Sequence, residues 1–195
     1  MAQEIEIEFK NLVTEEEFNR LTSHFHIKEE DFISQDNHYF DTPDYQLKEK
    51  QSALRIREKN GTYTLTLKTP LKEDLLETNQ PLSKDQSYFL LQDGLFPEGE
   101  VRDVLNSLSI SYESLQHFGT LSTSRVEIPY RDGLLVFDHS SYLQKEDYEL
   151  EYEVKERTTG EAIFLELLEQ HQIPLRQTDN KIKRFYLEKL KQDRS

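Results

Sequence analysis

Two stretches of this sequence place acids at every second position. Glu4, Glu6 and Glu8, followed by Lys10, lie in EIEIEFK near the start. Glu149, Glu151 and Glu153, followed by Lys155, lie in YELEYEVK near the end. Bases hold the alternate positions in between: Arg55 and Arg57 in ALRIR, Lys68 in TLTLK, and Arg125 beside Glu127 in SRVEIPY, with Asp138 in LLVFDHS. Lys181 and Lys183 add two more near the C-terminus. One such stretch reads as an ordinary half-buried strand with its charges in water. The recurrence argues otherwise, because a sheet facing water has no need to concentrate acids on some strands and bases on others. If the sheet closes, several carboxylates converge, which is unfavourable unless a cation sits among them. Oxygen donors without cysteine select Mg²⁺ or Mn²⁺. Arginine forks match phosphate oxygens at two points, and lysine acts as a point charge. Carboxylates holding a metal beside several bases are the equipment of phosphoryl transfer, where positioning and charge neutralisation do most of the catalysis.

The elements that must position these residues follow from periodicity. In EIEIEFK the acids share one strand face and Ile5, Ile7 and Phe9 the other. Thr14 and Glu17 form a capping box and Val13 and Phe18 a hydrophobic staple, predicting a helix to about His24. Residues 33–47 begin as a strand and turn at Thr42-Pro43-Asp44. SALRIREKNGTYTLTLKTP reads as a hairpin about Asn60-Gly61, a type I′ signal. Its arms put Arg55, Arg57, Thr64, Thr66 and Lys68 on one face, and Leu54, Ile56, Tyr63, Leu65 and Leu67 on the other. A short strand is expected around Leu75 to Asn79. Ser83 and Gln86 start a second capped helix to about Gln92, and a further helix covers about Val101 to Leu108. Strands resume after Leu115, with a hairpin turn expected at Asp132-Gly133. Thr158 or Thr159 is expected to cap a helix to about Gln170, and a last helix starts at Asp179. Alternation yields about eight strands.

Composition sets bounds. The chain has 195 residues, enough to bury a sizeable core. Its 10 Tyr and 11 Phe argue against disorder despite 32% charged residues. A net charge of −14 disfavours a nucleic-acid-coating role. There is no cysteine, hence no disulfide and no thiolate metal site. No signal-peptide pattern and no apolar run of membrane-spanning length are seen, so the expectation is a soluble, cytoplasmic protein with no membrane partner.

The motifs occur in a particular order: ExExK as Glu6, Glu8 and Lys10, then YFDTPD, ALRIR, TLTLK, RVE and ELEYE. In that order the chain resembles the CYTH superfamily, named for class IV adenylate cyclase and thiamine triphosphatase and also called triphosphate tunnel metalloenzymes. It is most similar to the small bacterial members described as triphosphatases. ExExK alone is weak, but the ordered set covers the chain from Glu4 to about Phe185. The resemblance implies an α+β fold: an eight-stranded antiparallel β-barrel forming a tunnel, with helices packed outside. It implies one such domain over residues 1–195, with a helical insertion at about 83–110. It also implies roles. Glu6 and Glu8, with members of Glu149, Glu151 and Glu153, would hold one or two Mg²⁺ or Mn²⁺ ions. Lys10, Arg55, Arg57, Lys68 and Arg125 would grip the triphosphate. Asp138 and Glu127 would orient those bases or assist the metal, and Lys181, with Lys183 nearby, would close the site from the last helix. The catalytic set is then Glu6, Glu8, Lys10, Arg55, Arg57, Lys68, Arg125 and Asp138.

The expected activity is metal-dependent hydrolysis of a linear triphosphate, a small-molecule substrate, with inorganic triphosphate first. Adenylate cyclisation, thiamine triphosphate hydrolysis and non-catalytic polyphosphate or nucleotide binding remain open. Two departures from the family pattern stand out. Asp36-Asn37-His38-Tyr39-Phe40-Asp41 replaces the frequent DTYYD, and Lys50-Gln51-Ser52 precedes ALRIR without a glycine. Tyr39 and Phe40 read as core residues, and the Lys181, Lys183, Arg184 cluster as a solvated helix face unless recruited.

Overall fold

The computed structural model describes residues 3–192. Among the described residues, eight strands are β1 (Gln3–Val13), β2 (Ile33–Asp41), β3 (Ala53–Lys59), β4 (Thr62–Leu71), β5 (Asp74–Leu82), β6 (Gln116–Tyr130), β7 (Gly133–Tyr142) and β8 (Lys145–Val154). They close into a barrel in the order β1-β5-β4-β3-β2-β6-β7-β8. This is the expected eight-stranded antiparallel barrel. Among the described residues there are also six α-helices, α1 (Glu15–His24), α2 (Gln46–Glu49), α3 (Lys84–Asp93), α4 (Glu100–Ser107), α5 (Arg157–Gln170) and α6 (Lys181–Gln192), and two 3₁₀ turns at Glu29–Asp31 and Tyr112–Ser114.

The chain divides into two compact units. One comprises Met1–Glu6, in its described part, with Gln35–Leu121. The other comprises Ile7–Ser34 with the described part of Ser122–Ser195. Strand β1 changes partner where the units divide. Gln3 to Glu6 pair with β5, and Ile7 to Val13 pair with β8.

In the first unit the hairpin of β3 and β4 turns at Asn60 and Gly61, both with positive φ as a type I′ turn requires. Its apolar face supplies Leu54, Ile56, Leu65 and Leu67, all fully buried in a core with Phe40, Leu90, Val101 and Leu105. Each such side chain contributes about 1.5–3 kcal/mol of burial free energy. Helices α3 and α4 lie on that face. Ser83 caps α3 in a complete capping box with Gln86. Strand β5 runs to Leu82, further than the apolar pattern indicated, because β4 pairs with it throughout from Tyr63 to Leu71.

In the second unit the core gathers Val13, Phe18, Leu21, Phe137, Leu150, Tyr152, Phe164 and Leu167 beneath α1 and α5. Thr14 and Glu17 form the expected capping box. Two local expectations are corrected. The β6–β7 turn is Arg131-Asp132, with Arg131 at φ 50°, and Gly133 already pairs with Tyr130. The cap of α5 is Glu156, whose carboxylate accepts from the backbone N–H groups of Thr158 and Thr159. A carboxylate satisfies two orphan donors where a threonine hydroxyl satisfies one.

Candidate active site

In each unit the strand faces opposite the helix-covered ones carry the charges. In the first unit Lys68 is the hub. Its ammonium lies 2.5 Å from Glu6 Oε2 and 2.7 Å from Glu77 Oε1. Register sets Lys68 directly opposite Glu77. Asn79 Nδ2 donates to the other Glu77 oxygen at 3.3 Å, and Thr66 Oγ1 donates to Asn79 Oδ1 at 2.6 Å. Burial opposes ionisation of Glu77, but Lys68 and then Arg55 outweigh it and hold its carboxyl down at about 2. Arg55 and Arg57 share the face, as alternation required. Burial works against the Arg55 charge, but Tyr39, Glu77 and Glu6 outweigh it and raise its pKa. The Arg55 Nε atom is buried and donates to no acceptor. Arg57 Nε donates to Asn37 Oδ1 at 3.1 Å.

In the second unit Arg125 and Lys181 organise the carboxylates. Arg125 grips Asp138 through two bonds, Nε to Oδ1 at 2.7 Å and Nη2 to Oδ2 at 2.6 Å. The same Nη2 donates to Glu151 Oε2 at 2.8 Å. From α6, Lys181 Nζ lies 2.8 Å from Asp138, 2.9 Å from Glu149 and 2.5 Å from Glu151. One turn on, Arg184 Nη2 is 2.5 Å from the second Glu149 oxygen, and its Nε donates to Asp147 at 3.0 Å. Burial would raise the pKa of both Asp138 and Glu151, but Arg125 and Lys181 outweigh it and hold the two carboxyls low. For Glu149 burial prevails over Lys181, and its pKa rises to about 7. Lys181 is held charged against burial by the three acids. Lys10 pairs with Glu8, and that carboxylate together with Glu151 and Glu149 outweighs burial to raise its pKa.

The remaining expected residues lie further out. Glu153 is half-exposed, 3.9 Å from Arg125. Lys183 sits on the exposed side of α6, its ammonium on Asp179 at 2.7 Å. Glu4 is exposed on β1. Alternation did not single out Glu77, Asn79, Asn37, Tyr39, Asp147 or Arg184. The first four sit opposite Lys68, Thr66, Arg57 and Arg55 in register, so a strand-pairing argument could have found them. Arg184 follows Lys181 at helical spacing, on the same side of α6.

The acids of the second unit can be tested against a hard divalent cation. Glu8 and Glu153 face each other directly across β1 and β8. Like charges in that position repel, and a cation relieves the repulsion. Among the described residues no three His, Cys, Asp or Glu side chains are grouped so as to hold a metal. Mg²⁺ does not need such a cage, since it commonly takes one or two carboxylates together with substrate phosphates and water. The donor set therefore fits Mg²⁺ or Mn²⁺ in that mode.

The eight described strands thus form a closed antiparallel barrel, and in each unit the strand faces opposite the helices carry paired acids and bases, which defines the class of the fold. The CYTH domain model matches residues 4–186, and the chain belongs to the CYTH family. It is 51% identical over 193 residues to YjbK of Bacillus subtilis (strain 168), provisionally named a triphosphatase; the match covers 98% of this chain and 99% of YjbK. A Bacillus halodurans crystal structure, provisionally named an adenylate cyclase, is 53% identical with a TM-score of 0.93, over 95% of this chain and 100% of that one. The Hippeastrum protein HpAC1, provisionally named an adenylyl cyclase and described as having a dominant triphosphatase activity, shares the fold. It has a TM-score of 0.78 at 21% identity, over 93% of this chain and 94% of that one. No helix among the described residues is long and apolar enough to cross a membrane.

Proposed function

We propose that this protein hydrolyses a linear triphosphate, inorganic triphosphate foremost, in a reaction that depends on Mg²⁺ or Mn²⁺. The observation that carries the reading is the Arg55 guanidinium, kept charged beside Lys68 with a buried Nε–H that has no acceptor. An unsatisfied buried donor on a charged group is costly unless a ligand completes it. A phosphate oxygen is the natural acceptor. Family membership and the provisional naming of YjbK support the same substrate class.

Arg55 and Arg57 bind phosphate oxygens, and Lys68, held between Glu6 and Glu77, adds positive charge beside them. Lys10 contributes a second ammonium, oriented by Glu8. Arg125, closed on Asp138 and Glu151, braces the carboxylates of the second unit. Lys181 joins α6 to Asp138, Glu149 and Glu151. Glu8 and Glu153 would hold the divalent cation, which supplies neutralisation of the charge that builds on the phosphate oxygens. Water attacks the terminal phosphorus, and pyrophosphate leaves as phosphate forms.

Product analysis tests this. Inorganic triphosphate, ATP and thiamine triphosphate are each incubated with Mg²⁺ or Mn²⁺, and phosphate, pyrophosphate and cyclic AMP are quantified separately. Phosphate from triphosphate well above an EDTA control is expected. Cyclic AMP with pyrophosphate would instead move the chain to the cyclase activity named for the Bacillus halodurans structure.

A further inference from the structure

Gln35 on β2 is a buried polar side chain that the proposed reaction does not use. It is only 3% exposed, and its Oε1 atom accepts no hydrogen bond. Glutamine is mostly a surface residue, and a buried acceptor without a donor is costly. An apolar side chain of similar size would avoid that cost, so packing alone does not call for glutamine here.

Strand register locates the amide. Gln35 stands opposite Lys59 on β3, just as Asn37 stands opposite Arg57 and Tyr39 opposite Arg55. Asn37 Oδ1 accepts from Arg57 Nε at 3.1 Å, which puts these alternate β2 residues on the face that carries the arginines. Lys59 continues that face after Arg55 and Arg57 and is partly exposed. Cross-strand neighbours lie about 5 Å apart at Cβ, yet Lys59 does not donate to the Gln35 oxygen. Two residues advance a strand by about 6.6 Å. Gln35 and Lys59 therefore form a row one step beyond Arg57, while Lys68 lies opposite Ala53 toward the other end of β3.

The chemistry of this row differs from that of the arginines. A guanidinium only donates and suits an ionised phosphate oxygen, which only accepts. Gln35 Oε1 only accepts, so an ionised phosphate oxygen cannot satisfy it. Lys59, across from it, only donates. A hydroxyl group accepts from the one and donates to the other. Set one row beyond the bases that take the phosphates, such a hydroxyl belongs to the group to which the phosphate chain is attached.

We propose that Gln35 and Lys59 are specificity-determining residues that bind a hydroxyl on the organic group of a triphosphate ester, such as the sugar of a nucleoside triphosphate. This rests on the triphosphatase reading above. It takes that reading further by naming the residues with which the same face tells one ester from another.

The test compares wild type, Gln35→Leu and Lys59→Met in the full chain. Calorimetry reads the binding of inorganic triphosphate, ATP and 2′,3′-dideoxy-ATP, and thermal unfolding reads the fold. Wild type should bind ATP about fivefold more tightly than dideoxy-ATP, the worth of an ordinary hydrogen bond. Gln35→Leu should bring that ratio to near one, because each partner of the bond matters only while the other is present. Its Tm should equal or exceed that of wild type, since an unsatisfied buried acceptor is gone. Lys59→Met should lower the same ratio. A wild-type ratio that survives in folded Gln35→Leu overturns the inference. If that variant does not fold, a ratio that survives in Lys59→Met overturns it. Wild-type protein that takes up no inorganic triphosphate overturns the triphosphatase reading itself. Wild-type protein that binds inorganic triphosphate but holds the two nucleotides equally overturns only this inference.

Discussion

Arg125 on β6 and Asp138 on β7 stand opposite each other in register and lock fork to fork, with Asp138 fully buried and Arg125 nearly so. Lys181 and Glu151 close around the pair. Two charges removed from water are sustained by their mutual geometry, and removing one of them strands the other. Asp138→Asn, which cannot form the charged fork, should lower unfolding free energy by about 3 kcal/mol. Urea denaturation measures this. The double variant Arg125→Met, Asp138→Leu should recover most of the loss, because an apolar pair of similar volume needs no compensation. Failure of the double variant to recover any stability would mean that the pair does more for folding than satisfy itself.

Glu77 predicts an acid limb of stability. Its carboxyl is ordinarily near 4.5 and is held at about 2 in the folded chain. The unfolded state therefore binds the proton more readily between those values. The stabilisation is fully present above about pH 4.5 and is lost as pH falls toward 2, at about 1.4 kcal/mol for each unit of separation. Glu77→Gln should be less stable than wild type at pH 7, with a shallower dependence on pH in that window. Parallel stability profiles for the two proteins between pH 4.5 and 2.5 would contradict the assignment.

Glu17 works in two places at once. It returns the capping bond to the Thr14 backbone, and both its oxygens receive Arg176, which also donates to the Leu12 carbonyl. That clamp ties the segment leading into α6 to the end of β1. Thr14→Ala should cost about 1 kcal/mol, the ordinary worth of a helix cap. Glu17→Ala should cost roughly twice that or more, because a charged two-point bond goes with the cap. Equal losses in chemical denaturation would show that Arg176 contributes little.

Arg57→Ala and Glu8→Ala should each reduce phosphate release from inorganic triphosphate by about a hundredfold or more at saturating Mg²⁺, while far-ultraviolet circular dichroism stays that of wild type. EDTA should abolish turnover, and added Mg²⁺ or Mn²⁺ should restore it. Near-wild-type rates in either variant would remove that residue from the proposed catalytic set.

Much of the local structure was legible because it depends on near neighbours. The capping boxes at Thr14 and Ser83 and the Asn60-Gly61 turn are written in three or four adjacent residues, and all three form as read. The β6–β7 turn was misplaced by one residue. Asp-Gly is a favoured turn pair, but the register of Tyr130 with Gly133 fixes the turn on Arg131-Asp132. The α5 cap was misread for a related reason. Glu156 lies just outside the helical pattern, and only the backbone geometry shows its carboxylate reaching two N–H groups.

The period-two acids and bases determined, before any fold was known, that Glu6, Glu8, Lys10, Arg55, Arg57 and Lys68 stand on charged strand faces. Side-chain direction in a strand alternates regardless of what surrounds it. Periodicity carries no information on partners, however. Glu149 and Glu151 follow the same pattern as Glu153, yet two of them are buried against Lys181 while the third lies half-exposed near Arg125. The partner of each charge depends on strand register and on where α6 docks, and both are set by the packing of residues far apart in the chain. Glu77 makes the point most plainly. It lies in none of the motifs, and it meets its partner only because pairing places it against Lys68.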